Sequence, residues 1–119
     1  PAQVSNPWNL SPAGSNATTL GWHSDGTINY EITRGNNVYA QEDRDNNNNT
    51  FGIPGASTTA SPNLSFNYNP NFALHPVTGG VNQQFAITNL FVWNNLMHDI
   101  SYLYGFTEAA GNFQTNNLS

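Results

Sequence analysis

Three histidines, seven acids and no cysteine are the raw material for metal or acid–base chemistry in these 119 residues. Zinc peptidase chemistry needs two His one helical turn apart with a Glu between them, as in H-E-x-x-H. His23, His75 and His98 are separated by 52 and 23 residues, so they form no such motif. His98-Asp99 resembles a general base beside an orienting carboxylate. Neighbours on a helix point about 100° apart, however, so the pair is not expected to face each other. His98 lines up with Asn94 and Tyr102 and reads as a hydrogen-bonded structural histidine. Glu108 has no evident partner. No G-x-S-x-G, P-loop or G-x-G-x-x-G occurs. The polar run from Glu42 to Asn49 does carry a mechanism. Asp43, Asp45 and Asn47, with Asn49 beyond them, alternate as D-x-D-x-N-x-N, which aims successive oxygens into a curved loop suited to Ca²⁺. It is no EF-hand, because the sixth position is Asn48 and the twelfth is Pro54.

Residues 1–26 are turn-rich, broken by Pro7, Pro12, Gly14, Gly21 and Gly26. Trp8 and Trp22 read as anchors of those loops, or alternatively as a platform for a glycan. Residues 27–82 read as a β-rich part with an Asn-rich loop. Ile28, Tyr30 and Ile32 alternate with polar residues, Arg34-Gly35-Asn36-Asn37 suits a tight turn, and Val38-Tyr39-Ala40 reads as a partner strand. Leu64, Phe66 and Tyr68 alternate again before Pro70. Residues 83–119 read as a long helix and its exit loop. Ala86, Leu90, Trp93, Met97, Ile100 and Tyr104 make one continuous apolar face. Asn82 is a candidate N-cap and Gly105 a candidate C′ residue. That helix carries more apolar surface than a few short strands can cover, so it should bury against something outside the chain.

Composition narrows the classes. Charged residues are 8%, against an ordinary figure of about 25%, and Asn appears 21 times. A net charge of −5 without Lys argues against nucleic acid. No apolar run approaches the roughly 20 residues that span a bilayer, so no membrane partner is expected. The opening Pro1-Ala2-Gln3-Val4 has no Met and no basic or apolar leader, and suggests a processed N-terminus.

At the helix the residues become familiar. Ala86-Ile87-Thr88-Asn89-Leu90-Phe91-Val92-Trp93-Asn94-Asn95-Leu96-Met97-His98-Asp99 is followed by Tyr102-Leu103-Tyr104-Gly105-Phe106 and Glu108-Ala109-Ala110-Gly111-Asn112-Phe113-Gln114. Together these resemble the fungalysin family of zinc metallopeptidases. Gly21-Trp22-His23, Ile32-Thr33-Arg34-Gly35-Asn36-Asn37-Val38 and Glu42-Asp43-Arg44 are similar to it as well.

The resemblance implies an α+β fold, the β-rich N-terminal lobe of a thermolysin-like metallopeptidase ending in one long buried helix. It implies that all three segments belong to one incomplete catalytic domain of a secreted endopeptidase made as a zymogen. The partners implied are the remainder of that domain, a propeptide, and a protein or peptide substrate. The family's H-E-x-x-H and third zinc ligand lie downstream of the matched stretch. Zinc would therefore be bound by that downstream part, no catalytic role passes to any residue here, and the chain alone should be inactive. Structural calcium in the N-terminal lobe would fit Asp43, Asp45 and Asn47. The competing reading is a calcium-stabilised extracellular binding module.

Overall fold

The computed structural model of the chain describes residues 4–9, 16–49, 51–75 and 80–118. Pro12 and Gly14, two of the expected turn residues, lie outside them. One long helix, α1, runs Gly80–Leu103. Among the described residues, single 3₁₀ turns at Pro7–Asn9, Asn16–Thr18 and Glu108–Ala110 are the other helical pieces.

The expectation of a β-rich lobe is overturned, for the described residues contain no strand and no sheet, only isolated antiparallel bridges. These join Ser24 to Asn29, Ile32 to Ala56, Arg34 to Tyr39 and Gln41 to Pro54. The physical reason is visible at each place where a ladder would have to continue. The Arg34 amide turns back onto the Ile32 carbonyl at 2.7 Å, which closes the chain on itself. Pro54 has no N–H to give. Around Leu64, Phe66 and Tyr68 the alternation exists, but polar side chains replace a neighbouring strand. Ser57 Oγ accepts the Ser65 amide at 2.8 Å while the Ser65 carbonyl takes the Thr58 amide at 2.8 Å.

Thr33 gathers three segments in place of a sheet. Its amide donates to Gly55 O at 2.8 Å and its carbonyl accepts the Ala40 amide at 2.9 Å. Its hydroxyl donates to Ala40 O at 2.6 Å and accepts from Gly55 N at 2.8 Å. The reversal at Arg34–Tyr39 thus forms, held by one bridge and a buried side chain.

Helix α1 begins before the expected start, and Asn82 does not cap it. Asn82 lies inside the first turn, where Oδ1 accepts the Asn71 amide at 2.8 Å and Nδ2 donates to Asn71 O and Leu74 O. At the other end Gly105 does stop the helix, at φ +100. Gly105 N donates to Tyr102 O at 3.1 Å and Phe106 N to Ser101 O at 3.0 Å, the paired bonds of a Schellman motif.

The face of α1 that meets the rest of the chain is not the most apolar one. Gln83, Ile87, Phe91, Asn95 and Asp99 are its buried residues. Their strict four-residue spacing drifts about 40° per step around the axis, so loops wind along the helix. Trp22, Ala40, Ile87 and Phe91 form the core, with Trp8, Val38, Val92 and Leu96 packed against it. The Trp22 and Phe91 rings meet edge-on at 6.5 Å. The expected apolar face is exposed, with Leu90 at 51%, Trp93 and Met97 at 59%, and Tyr104 at 90%. Among the described residues no sheet covers it.

Candidate functional site

Among the described residues, buried polar side chains outnumber buried apolar ones. Asp25, Thr33, Asn36, Gln83, Asn95, Asp99, Glu108 and Asn112 are all buried. An unmet buried polar group costs about 1–3 kcal/mol, and most of these polar atoms find partners, although Gln83 Nε2 and Asn112 Oδ1 do not.

The densest group sits where α1 meets the segment after it. Asp99 is fully buried, and its Oδ2 accepts Trp22 Nε1 at 3.0 Å. Its Oδ1 lies 3.1 Å from His98 Nδ1. His98 Nε2 in turn lies 3.2 Å from Gln114 Oε1 and 3.4 Å from Asn112 Nδ2. Gln114 Nε2 donates to Glu108 Oε1 at 3.0 Å, and the same oxygen accepts the Leu118 amide at 2.7 Å. A chain of contacts therefore runs from the N-terminal loop through the helix to the tail.

This arrangement corrects the sequence expectation in three places. His98 and Asp99 do touch, with Nδ1 and Oδ1 3.1 Å apart. Asn94 and Tyr102 are not its hydrogen-bond partners: Asn94 Nδ2 donates to Leu90 O at 2.8 Å and the Tyr102 ring is 6.3 Å away. Glu108, which had no evident partner, is buried and holds the tail.

A second clasp ties the same tail to the 34–39 turn. Asn36 Nδ2 donates to Asn116 O at 2.8 Å, and Asn116 N donates to Asn36 Oδ1 at 2.7 Å. The Asn36 amide thus pairs with backbone as a strand would. Sequence reasoning placed Asn36 in a turn and Gln114 in a family motif but gave neither a partner, and it did not single out Asn116 among the chain's 21 Asn. The four-residue spacing from Gln83 to Asp99 was the available signal.

The other two histidines are apart. His23 Nδ1 lies 3.1 Å from Ile32 O, and the ring stacks on Phe66 at 4.8 Å and tilts against Phe91 at 4.9 Å. Burial lowers its pKa below the ordinary 6.5, partly offset by the Ile32 carbonyl. His75 is exposed. An open groove of about 1050 Å³ runs beside His23, lined by Trp8, Tyr30, Phe66, Phe85 and Leu96 among others. Trp22 is buried and Trp8 packs edge-on against it at 6.1 Å, so this pair offers no flat platform to a glycan.

Asp43, Asp45 and Asn47 lie together on an exposed loop. Asp43 Oδ1 accepts the amides of Asn47 and Asn48 at 3.1 and 3.3 Å, Asn47 Nδ2 donates to Asp45 Oδ2, and Asn47 Oδ1 accepts the Asn49 amide. Asn46 and Asn48 have positive φ, which lets the loop curl round its own oxygens. Among the described residues, no three His, Cys, Asp or Glu side chains come together as a metal site.

Two titrations set an acid limit on the fold. Tyr30 OH donates to Asp25 Oδ2 at 2.6 Å, and the Ile28 and Thr27 amides donate to Oδ1. These bonds, Tyr30 first, hold the Asp25 carboxyl below its ordinary 3.8. The unfolded chain therefore binds the extra proton first at both His23 and Asp25. Stability should be level between pH 6.5 and the tyrosine range, fall as His23 is forced to charge below 6.5, and fall again below pH 3.8. Above pH 10.0 it should fall too, because the fold raises the pKa of Tyr30 and Tyr68. Melting temperature against pH checks this; Tyr30→Phe should weaken the second fall and leave the first unchanged.

No described helix is long and apolar enough to cross a membrane. The sequence profile of the fungalysin metallopeptidase family (M36) matches residues 1–119. Proteins named extracellular metalloproteinase 2, from Trichophyton tonsurans and Arthroderma benhamiae, are each 43% identical to the chain over 117 residues. A Trichophyton tonsurans protein named extracellular metalloproteinase 3 is 40% identical over 119 residues. Each match covers 98% of this chain, which spans only 17% of the relative's length. With the match running the whole length of the chain, this protein belongs to the fungalysin metallopeptidase family.

Proposed function

We propose that the chain is the N-terminal portion of the catalytic domain of a secreted, zinc-dependent endopeptidase that hydrolyses peptide bonds in proteins. Its three segments would form one part of that domain, the enzyme would be made as a zymogen under a propeptide, and α1 would be the chain's main contribution. The carrying observation is the outer face of α1, where Leu90, Trp93, Met97 and Ile100 stand exposed. The lone charge of that helix, Asp99, points inward. An uncharged apolar helix face suits a protein interior, and relatives about six times longer than this chain have the residues to cover it.

The side chains here do not fit zinc. His23 is packed between rings, His98 is bonded to Asp99 and Gln114, and His75 is exposed, with no metal cluster among the described residues. Zinc in such an enzyme would supply Lewis-acid chemistry for peptide hydrolysis, and on this reading its ligands lie outside the chain. The chain's own task is scaffolding, with Trp22, Asp99 and His98 fixing where α1 and the tail stand. Casein hydrolysis tests the proposal. The longer polypeptide should cleave, lose activity to 1,10-phenanthroline and regain it with zinc, while the chain alone should not cleave. Cleavage by the chain alone, or indifference to the chelator, would contradict it.

Calcium at Asp43, Asp45 and Asn47 is part of the same proposal, supported by a loop already curled around its own oxygens. Ca²⁺ should raise the melting temperature, and Asp43→Asn with Asp45→Asn should remove that rise. An equal loss in the presence of EGTA would mean the two acids serve only the loop's backbone.

A further inference from the structure

We propose that Arg34 is a carboxylate-binding site. Arg34 and Arg44 are the only basic side chains besides histidine, and they are held differently. Arg44 Nε sits 3.0 Å from Glu42 Oε2. The Arg34 guanidinium lies between two aromatic rings, 4.8 Å from the Tyr30 centroid and 4.9 Å from the Tyr39 centroid. Among the described residues it has no hydrogen-bond acceptor or ion-pair partner.

The acid whose charge feels Arg34 is Asp25, yet its oxygens are engaged elsewhere. Oδ1 takes the amides of Thr27 and Ile28 at 2.9 and 2.7 Å, and Oδ2 takes the Tyr30 hydroxyl. Tyr30 thereby restrains Asp25 while its ring supports Arg34.

Rings on the guanidinium displace water from its faces and hold its orientation, leaving the N–H edge to seek acceptors. A carboxylate matches that edge with two parallel hydrogen bonds. Little ordering remains to be done when the ligand arrives, which favours binding. A cavity of about 210 Å³ adjoins the site, lined by Arg34, Asn36, Asn37, Tyr39, Gln114 and Thr115 among others. The net charge of −5 repels free anions at long range, so recognition here depends on short-range geometry. The carboxylate could be an Asp or Glu of the longer polypeptide or belong to a separate peptide; the chemistry is the same. The site does not depend on peptidase activity; only its test rests on the proposal that the chain belongs to a longer polypeptide.

The test is ¹⁵N-arginine labelling of the longer polypeptide, with the Nε–Hε signal assigned by its loss in Arg34→Lys, or in Arg34→Gln if the first variant misfolds. Sodium acetate is the probe, against sodium chloride at matched ionic strength. A saturable shift, with a dissociation constant on the order of 10 mM, identifies an open site for an external carboxylate. No acetate response, with water exchange slowed at least about tenfold, identifies a site already filled from the same polypeptide. Either supports the proposal. A signal that neither responds to acetate nor is protected from exchange overturns it.

Discussion

Trp22→Ala should unfold the chain at temperatures where the wild type is intact. Trp22 is 1% exposed, touches Phe91 and Trp8 edge-on, and donates to the fully buried Asp99. Truncating a buried aromatic costs about 3–5 kcal/mol, and here the loss also leaves Asp99 Oδ2 without its donor. Trp22→Phe separates the two effects in part, since it keeps one aromatic ring in the core but removes Nε1 together with the rest of the five-membered ring. A cost of about 1–3 kcal/mol is expected for that orphaned buried acceptor. Urea unfolding of both variants checks the order. If Trp22→Phe were as stable as the wild type, the contact between the N-terminal loop and the helix end would carry no weight.

Gly35→Ala should be comparably severe, although it adds one methyl group. A Cβ at Gly35 would stand 1.9 Å from Trp22 O and 2.6 Å from Trp22 C. Those are backbone atoms, so no side-chain rotation relieves the overlap. Overpacking typically costs 1–3 kcal/mol or so, and a clash of backbone with backbone belongs above that range. Gly105→Ala is the control, because its Cβ would meet nothing within 4 Å. It retains the strain of φ +100 alone, for which about 1–2 kcal/mol is ordinary. Equal stability of the Gly35→Ala variant and the wild type would mean that the turn and the Trp22 segment lie farther apart than described.

How far the sequence was legible depends on which force decides each element. The long helix was legible because Ala86 to Tyr104 lacks Pro and Gly, and Gly105 marks its end through a backbone conformation that favours glycine. Its inner face was misread. Apolar periodicity picked out Leu90, Trp93 and Met97, whereas hydrogen bonds place Asn95 and Asp99 inside, and hydrophobicity does not register those. Alternation at Ile28–Ile32 and Leu64–Tyr68 suggested strands, but a strand needs a continuous backbone partner, and the Arg34 turn, Pro54 and the Ser57 side chain interrupt it. Family membership was legible from the order of motifs along most of the chain. Pairings between Asn36 and Asn116, or His98 and Gln114, join positions 80 and 16 residues apart, and nothing local announces them.

The central claim is that the outer face of α1 belongs to an interior supplied by the rest of a longer polypeptide. Met97 reports on it directly, being the chain's single methionine and 59% exposed here. Its rate of oxidation by dilute peroxide, followed by mass spectrometry of the peptide that contains it, is the measurement to make. Oxidation requires solvent access to the sulfur. In the longer polypeptide Met97 should react at least about tenfold more slowly than an exposed methionine, and recover that reactivity on unfolding. Oxidation in the folded longer polypeptide as fast as in its unfolded state would contradict the claim.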